Sequence, residues 1–213
     1  MGTVPVTLAR RLKRRLALRR AVETGTWAGG GALLLSDVFR DVTTIEVSED
    51  VAQRAAVALS AESIRVVNAD SRSVLHPSKV PSFYFLDGHW CGGSSGGEID
   101  ECPLLEELEL IGGGHEDDCI VIDDARLFVD PPPPPHRPEQ WPSLAEIEER
   151  LRKHWPHHAV VVAHDQIVAV PSRAADIAER FAASPFEPPR RERNLVRRAL
   201  RKARRLVREA RAA

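Results

Sequence analysis

The 213-residue sequence predicts an α/β fold with a mainly parallel seven-stranded sheet, helices on both faces and an antiparallel hairpin strand near the C-terminal end. Three observations predict it. Five apolar runs of strand length recur along the chain, helix-like segments lie between them, and small or acidic residues follow them. The 43% hydrophobic and 29% charged residues are typical of one globular domain with an ordinary core.

The apolar spacing places the elements. Predicted strands cover 21–23, 42–47, 64–67, 83–86 and 119–122, and predicted helices cover 29–39, 50–60 and 103–111. Ser143 with Glu146 has the pattern of a capping box that begins a helix ending near Lys153. Residues 159–163 and 166–170 then predict a hairpin that adds the antiparallel strand.

Charge divides the chain into three parts. Residues 1–20 carry seven Lys or Arg and no acid, and residues 190–213 carry eleven and two acids, which leaves 12 basic and 29 acidic residues between them. We therefore expect a basic N-terminal helix at 1–20, one domain at 21–187 and a basic amphipathic helix at 188–213. The basic ends could pack on the acidic body or in a homodimer, or the C-terminal helix could contact a membrane surface; nucleic acid is the less favoured partner.

Membrane spanning and disulfide bonding are not expected. No apolar run reaches the roughly 20 residues needed to cross a bilayer, and the N-terminus lacks the pattern of a secretory signal, so the expected location is cytoplasmic. Cys91, Cys102 and Cys119 are widely spaced and odd in number, which favours reduced thiols over a zinc site or redox pair.

A glycine-rich turn follows the first strand. The segment Glu23-Thr24-Gly25-Thr26 leads to Gly29-Gly30-Gly31 at the start of a predicted helix. Glycine lets the backbone turn tightly and approach a ligand, although tight strand-to-helix crossovers need glycine for structural reasons as well.

Two acidic residues at later strand ends strengthen the interpretation of a nucleotide site. Glu46 lies 21 positions after Gly25, a spacing that suits an acid binding the ribose hydroxyls. Asp70, followed by Ser71, could meet an adenine amino group or cap a helix. A glycine turn with an acid at this spacing also fits an NAD site, so an NAD-dependent oxidoreductase stays an alternative.

Together these residues resemble a known family. The segments Glu23–Thr26, 45–48, Asp70-Ser71, 86–90, 101–108 and 122–124 are similar to class I S-adenosylmethionine-dependent methyltransferases, a Rossmann-like fold, over roughly residues 20–170. The resemblance implies S-adenosylmethionine as cofactor, with Glu23, Gly25, Thr26 and Gly29 around its methionine part, Glu46 at the ribose, and Asp70 and Ser71 at the adenine. Trp27 departs from the usual alternating glycines.

Polar side chains also follow the fourth and fifth strands. Asp87 and His89 come after one, and Asp123 and Asp124 after the other, so all four should meet at the carboxyl edge of the sheet. The arrangement is similar to small-molecule O-methyltransferases, including sugar-modifying ones. That resemblance implies His89 and Asp87 as catalytic residues and Asp87, Asp123 and Asp124 as ligands of a divalent metal such as Mg²⁺. Helix capping and loop hydrogen bonding are the structural alternatives.

Two further segments flank this edge. The glycine- and serine-rich stretch 92–97 could form a lid or a plain flexible connection. The consecutive prolines 131–135 exclude a helix or central strand, and the aromatic and proline residues at 128–141 could form a pocket wall or a rigid surface loop.

The leading hypothesis is therefore O-methylation of a small hydroxylated substrate, with sugars among the candidates. The alternative hypothesis keeps the fold but makes the protein a non-catalytic nucleotide or cofactor sensor with a basic interaction helix. Turnover of a methyl donor distinguishes the two hypotheses.

Overall fold

The computed structural model describes residues 3–60, 62–92 and 96–185 and contains one seven-stranded sheet in the order β3-β2-β1-β4-β5-β7-β6. Strands β1 to β5 run parallel to one another, whereas β7 pairs antiparallel with both β5 and β6. The strands are β1 (Arg20–Thr24), β2 (Asp41–Glu46), β3 (Ile64–Asn68), β4 (Ser82–Leu86), β5 (Cys119–Asp123), β6 (His158–Ala163) and β7 (Gln166–Pro171). The predicted fold class is confirmed.

Seven α-helices accompany the sheet within the described ranges. They are α1 (Val6–Leu16), α2 (Gly30–Ser36), α3 (Glu49–Leu59), α4 (Leu104–Ile111), α5 (Arg126–Val129), α6 (Leu144–His154) and α7 (Ala175–Ala183). The capping box of α6 is present: Ser143 Oγ accepts from the Glu146 amide, and Glu146 Oε2 accepts from the Ser143 amide at 2.8 Å. The short α5 and the helix α7 were not expected from the sequence.

The sheet separates two apolar cores. The first contains buried residues of α1, α2 and α7 together with Phe39 and Phe83, whose rings stack with centroids 5.7 Å apart. The second lies on the other face between the sheet, α4 and α6, and includes Tyr84 and Trp155. Strands β4 and β5 are buried along their whole length because both faces are covered.

The basic N-terminal segment belongs to this core. Leu8, Leu12 and Leu16 of α1 are buried in the first core, and the Arg15 guanidinium donates to the Asp176 carboxylate of α7 at 3.0 Å. This helix thus packs on the body of the protein, one of the arrangements expected for the chain ends. The predicted basic helix at 188–213 lies outside the described residues. In the part of the chain that is described, no helix has the length and apolarity needed to cross a membrane.

Candidate active site

A cleft of about 770 Å³ lies at the carboxyl ends of the parallel strands. This is the edge where open α/β sheets place their ligands, because consecutive crossover loops diverge there. The cleft is lined by most residues predicted for the site, namely Glu23, Gly25, Thr26, Glu46, Asp70, Ser71, Asp87, His89 and Asp124. Gly29 and Asp123, both within the described ranges, do not line it.

The turn after β1 contains two residues with a positive φ, one of which is not glycine. Gly25 has φ +80°, and a Cβ there would lie 2.0 Å from the Asp87 carbonyl oxygen, so only glycine lets this turn approach the end of β4. Trp27 also has a positive φ of 46° and leaves its side chain 44% exposed. Its amide donates to Glu46 Oε2 at 3.0 Å, which holds the loop against β2.

Gly29, predicted to contact the cofactor, has a structural role at the start of α2. It is the N-cap of α2 with φ +77°, and a Cβ there would meet the Leu59 side chain at 3.0–3.1 Å. The glycine therefore allows α2 to pack closely on α3, away from the lining of the cleft.

Glu23 is a buried carboxyl group at the end of β1. It is 2% exposed and accepts a hydrogen bond from Thr44 Oγ1 at 2.6 Å, and Thr44 Oγ1 also lies 2.7 Å from Thr26 Oγ1. Burial raises the pKa of Glu23 to about 8, more than the Thr44 hydrogen bond lowers it. Thr44 was missed in the sequence, although it precedes Glu46 by two residues and so points to the same face of β2.

Glu46 ends β2 with its carboxylate held between two backbone amides. Oε2 accepts from Trp27 and Oε1 accepts from Ser48, both at 3.0 Å. A carboxylate has about four lone-pair sites, so each oxygen can accept a further hydrogen bond from a ligand hydroxyl. The side chain is 7% exposed and lines the cleft.

Asp70 marks the β3 side of the cleft and is paired with Arg72. The Arg72 amide and Nε donate to Asp70 Oδ1 at 2.9 and 3.0 Å, and Nη2 donates to Oδ2 at 2.7 Å. These hydrogen bonds lower the pKa of Asp70. Arg72 also pairs with Asp100, which lines the cleft as well. The alternative role of Asp70 is present too, because it caps the 3₁₀ turn Ser71–Ser73.

His89 lies between two carboxylates at the other end of the cleft. Its Nε2 is 3.0 Å from Asp124 Oδ2, and its Nδ1 is 3.7 Å from Asp87 Oδ1. Burial would raise the pKa of Asp124, but hydrogen bonds from His89 and Arg126 outweigh it and hold that pKa well below its usual value. Because an ionised carboxylate only accepts, Nε2 is the nitrogen that donates to Asp124, and Nδ1 is the ring nitrogen that faces Asp87.

Asp87 has the opposite environment. Burial, followed by the charges of Asp123, Asp124 and Glu23, raises its pKa well above the usual value. The side chain reaches the cleft, so a cationic or hydrogen-bonding group of a ligand there would stabilise its charged form.

Asp123 does not occupy the predicted metal-ligand position. It is 1% exposed, its Oδ1 accepts from Gln166 Nε2 of β7 at 3.1 Å, and its Oδ2 has no hydrogen-bond partner among the described residues. Asp124, with φ +56°, turns into the cleft instead. Asp123 keeps the strand backbone and points to Gln166, whereas the positive φ of Asp124 directs its side chain into the cleft.

The group that could hold a cation is therefore different from the predicted one. Asp87, His89 and Asp124 each offer one ligand atom, and these atoms lie within 4.8 Å of one another. Asp124 is already bound by His89 through Oδ2 and by Arg126 through Oδ1 at 2.6 Å. This donor set does not fit the three-aspartate, oxygen-only site predicted for Mg²⁺.

Glu107 is a buried acid that the sequence analysis missed. It is 1% exposed on α4, Thr24 Oγ1 donates to its Oε2 at 3.4 Å, and its Oε1 has no hydrogen-bond partner in the described part of the chain. A Cβ on Gly88 would lie 3.1 Å from that oxygen, so Glu107 sits directly behind the turn carrying Asp87 and His89. Burial raises its pKa to about 7. The signal was in the sequence: Glu107 stands three residues after Leu104 and four before Ile111, which places it on the apolar face of α4.

The segment 128–141 packs against His89 from outside the cleft. Trp141 packs on His89 and Phe128 with ring centroids 5.3 and 5.7 Å away. No sequence pattern placed these three rings together. None of the residues 128–141, all of which are described, lines the cleft, so their contacts show packing behind His89 and not a wall of the cleft. The predicted lid at 92–97 is described only in part, with Gly96 and Gly97 lining the cleft.

Comparisons with known proteins agree at the level of the fold. No model of a known protein family matches the sequence, and no curated protein is significantly similar to it. Solved structures do match. A "putative caffeoyl-CoA O-methyltransferase from Staphylococcus aureus" is 14% identical, with 80% of this chain and 84% of that chain covered and a TM-score of 0.57.

Two further structures agree with this. The O-methyltransferase TomG from Streptomyces achromogenes, solved with SAM, is 17% identical over 78% of this chain and 79% of that chain, with a TM-score of 0.51. A "putative O-methyltransferase from Klebsiella pneumoniae" is 14% identical over the same shares, with a TM-score of 0.52. The chain therefore has the fold of the class I S-adenosylmethionine-dependent methyltransferases.

Proposed function

We propose that this protein is an S-adenosylmethionine-dependent methyltransferase that methylates an oxygen of a small hydroxylated acceptor, with sugars among the candidates. The observation that carries the proposal is that Glu23, Glu46, Asp70 and Asp87, separated by up to 64 positions, line one cleft. TomG, which shares the fold, was solved with SAM, and this supports the choice of cofactor.

The lining residues suit the parts of that cofactor. Glu46 has free lone pairs for the two ribose hydroxyls, because each of its oxygens accepts only one backbone amide. Asp70 and Ser71 would meet the adenine, and Glu23, Gly25 and Thr26 the methionine part. The cleft of about 770 Å³ falls within the usual range of cofactor sites.

His89, oriented by Asp124, is the group that would accept the proton of the acceptor hydroxyl. The bound cofactor provides an activated methyl group, so the protein must orient the acceptor oxygen and accept its proton. Asp124 fixes the ring of His89 through Nε2, and His89 Nδ1 would receive the hydroxyl proton as the acceptor oxygen takes the methyl carbon, with the cofactor's sulfonium sulfur leaving as a neutral thioether. Asp87, 3.7 Å from Nδ1, can hold the acceptor hydroxyl beside that nitrogen.

The side chains at this end of the cleft do not fit a metal ion, because the carboxylate of Asp124 is engaged by His89 and Arg126 and Asp123 lies off the cleft. Titration with Mn²⁺, a common substitute for Mg²⁺, tests whether a divalent ion binds at this end of the cleft. Binding at micromolar Mn²⁺ that disappears in Asp87→Asn would favour a metal-assisted reaction at Asp87, His89 and Asp124.

Calorimetry with S-adenosylmethionine tests the cofactor, and transfer of its labelled methyl group to a panel of sugars and phenols tests the reaction. We expect binding to folded protein and methyl transfer that is lost in His89→Ala while cofactor binding is kept. Absence of binding to folded protein would refute the proposal. Binding with no acceptor methylated by the wild type would favour the cofactor-sensor alternative.

A further inference from the structure

Two segments distant in sequence are joined around one buried carboxylate. Glu101 is 1% exposed and follows the residues 98–100, which line the cleft. Its Oε2 accepts from Trp141 Nε1 at 2.8 Å and lies 3.2 Å from His136 Nδ1, and its Oε1 accepts from the Arg137 amide at 3.1 Å. One side chain thus gathers three residues of the proline-rich segment.

This carboxylate is held in its charged form. Burial by itself would raise the pKa of Glu101, but the hydrogen bonds from Trp141, Arg137 and His136 outweigh it and lower the pKa. A buried charge with this many donors makes strong hydrogen bonds, and removing the charge leaves the donors unpaired.

Further hydrogen bonds fasten the same two segments on either side of Glu101. Its amide donates to Gln140 Oε1 at 2.9 Å, and Gln140 Nε2 donates to the Ile99 carbonyl at 3.1 Å. Arg137 also donates to the Glu98 carbonyl. Residues 98–101 and 136–141, which we call the clamp, therefore behave as one packed unit.

The clamp reaches His89 by two routes. The Trp141 ring, whose Nε1 is fixed by Glu101, lies 5.3 Å from the His89 ring. The amide of Trp90, the residue after His89, donates to the Glu101 carbonyl at 2.7 Å. Movement of Glu101 would therefore change both the ring packing of His89 and the backbone next to it.

The clamp also reaches the opposite end of the cleft. Asp100 pairs with Arg72, and Arg72 holds both carboxylate oxygens of Asp70. These contacts form a continuous path of packed and hydrogen-bonded groups from the adenine side of the cleft to His89, with Glu101 at its centre.

We infer that Glu101 is a positioning residue which couples cofactor binding at Asp70 to the orientation of His89. The inference rests on the proposed function for the identity of the cofactor. It goes beyond that function by assigning a role to a side chain that lies outside the cleft. A purely structural Glu101 would stabilise the fold without changing either end of the cleft.

The test is Glu101→Gln, which keeps the shape and removes the charge, with Glu139→Gln as the matched control on an exposed residue of the same proline-rich segment. The readouts are the thermal midpoint, the ¹H–¹³C signal of the His89 ring, and the dissociation constant for S-adenosylmethionine. We expect Glu101→Gln to shift the His89 signal and to weaken cofactor binding about 5-fold or more, and Glu139→Gln to change neither.

A lower thermal midpoint with the His89 signal and the dissociation constant both unchanged would overturn the inference. If Glu101→Gln does not fold, Trp141→Phe removes one donor to Glu101, and the dissociation constant alone is the readout, because changing the ring beside His89 shifts its signal directly. If the wild type does not bind S-adenosylmethionine, the proposed cofactor is wrong. The His89 signal then still reports whether Glu101 positions the histidine, and an unshifted signal overturns the inference.

Discussion

Replacing Glu46 by glutamine is the sharpest perturbation of the proposed cofactor site. Glu46 ends β2, is 7% exposed, and uses one lone pair of each oxygen to accept an amide of Trp27 or Ser48. Glutamine has the same length but only one acceptor oxygen and no charge. It can therefore keep one of the two expected ribose contacts and weakens it by losing the charge.

The magnitude follows from the lost contact. A hydrogen bond to a charged group contributes about 1.5–3 kcal/mol, so losing one ribose contact should weaken binding about 10- to 100-fold. The side-chain nitrogen of the introduced glutamine would also face one of the two backbone amides, which should lower the free energy of unfolding by about 1–3 kcal/mol. The two effects must be separated.

A double-mutant cycle separates them. Calorimetry compares S-adenosylhomocysteine with its 2′-deoxy analogue on the wild type and on Glu46→Gln. On the wild type, the missing hydroxyl should weaken binding about 10-fold or more. On the variant, the missing hydroxyl should cost a clearly smaller factor, because one ribose contact is lost and the other no longer involves a charge. Asp41→Asn, at the exposed opposite end of β2, is the control and should leave both affinities unchanged.

The reasoning would be refuted by a particular pattern. Suppose that Glu46→Gln lowers stability but that removing the 2′ hydroxyl weakens ligand binding by the same factor in the variant and in the wild type. Glu46 would then shape the loop without contacting the ribose.

Three further predictions concern pH and backbone geometry. Asp124 has a depressed pKa in the folded protein, so the stabilisation that it provides is present above the unfolded pKa of 3.8 and is lost as pH falls below it. Asp124→Asn should lower the free energy of unfolding by about 1–3 kcal/mol at pH 7. Urea denaturation at pH 3 should show a smaller difference between the variant and the wild type. Glu23 has a pKa raised from 4.5 to about 8, so its contribution to the free energy of unfolding is present below pH 4.5 and is lost as pH rises to 8. In Glu23→Gln, the free energy of unfolding should fall less over this pH range than in the wild type. An equal fall in both proteins would contradict the raised pKa of Glu23. Gly25→Ala should lower the free energy of unfolding by about 2 kcal/mol or more, because its Cβ would meet the Asp87 carbonyl. A Cβ at Gly30 would have open space around it among the described residues, so Gly30→Ala should be neutral or stabilising. Denaturation of the two variants and the wild type measures both effects.

The elements and their order could be predicted because they depend on local patterns. Apolar runs such as 119–122 predicted strands at the observed positions, and Ser143 with Glu146 predicted the start of α6. Since parallel strands end at one edge, an acid at the end of β1 and another at the end of β2 had to approach the same cleft. Periodicity and chain direction were sufficient for that much.

Contacts between distant segments could not be predicted in this way. Nothing local distinguishes Glu101 from the exposed Glu98, because its burial depends on the distant segment 136–141. Helical spacing places Glu107 on the apolar face of α4 but does not show which groups it meets there.

By itself, the sequence determined the sheet, its carboxyl edge and the chemical types of the residues gathered there. Only the tertiary structure decided that Asp124 enters the cleft and Asp123 does not, that Gly29 packs on Leu59, and that α1 completes the core. The physical reason is that the direction of a side chain at a strand end depends on one backbone angle and on its neighbours across the sheet, and neither is a property of the adjacent sequence.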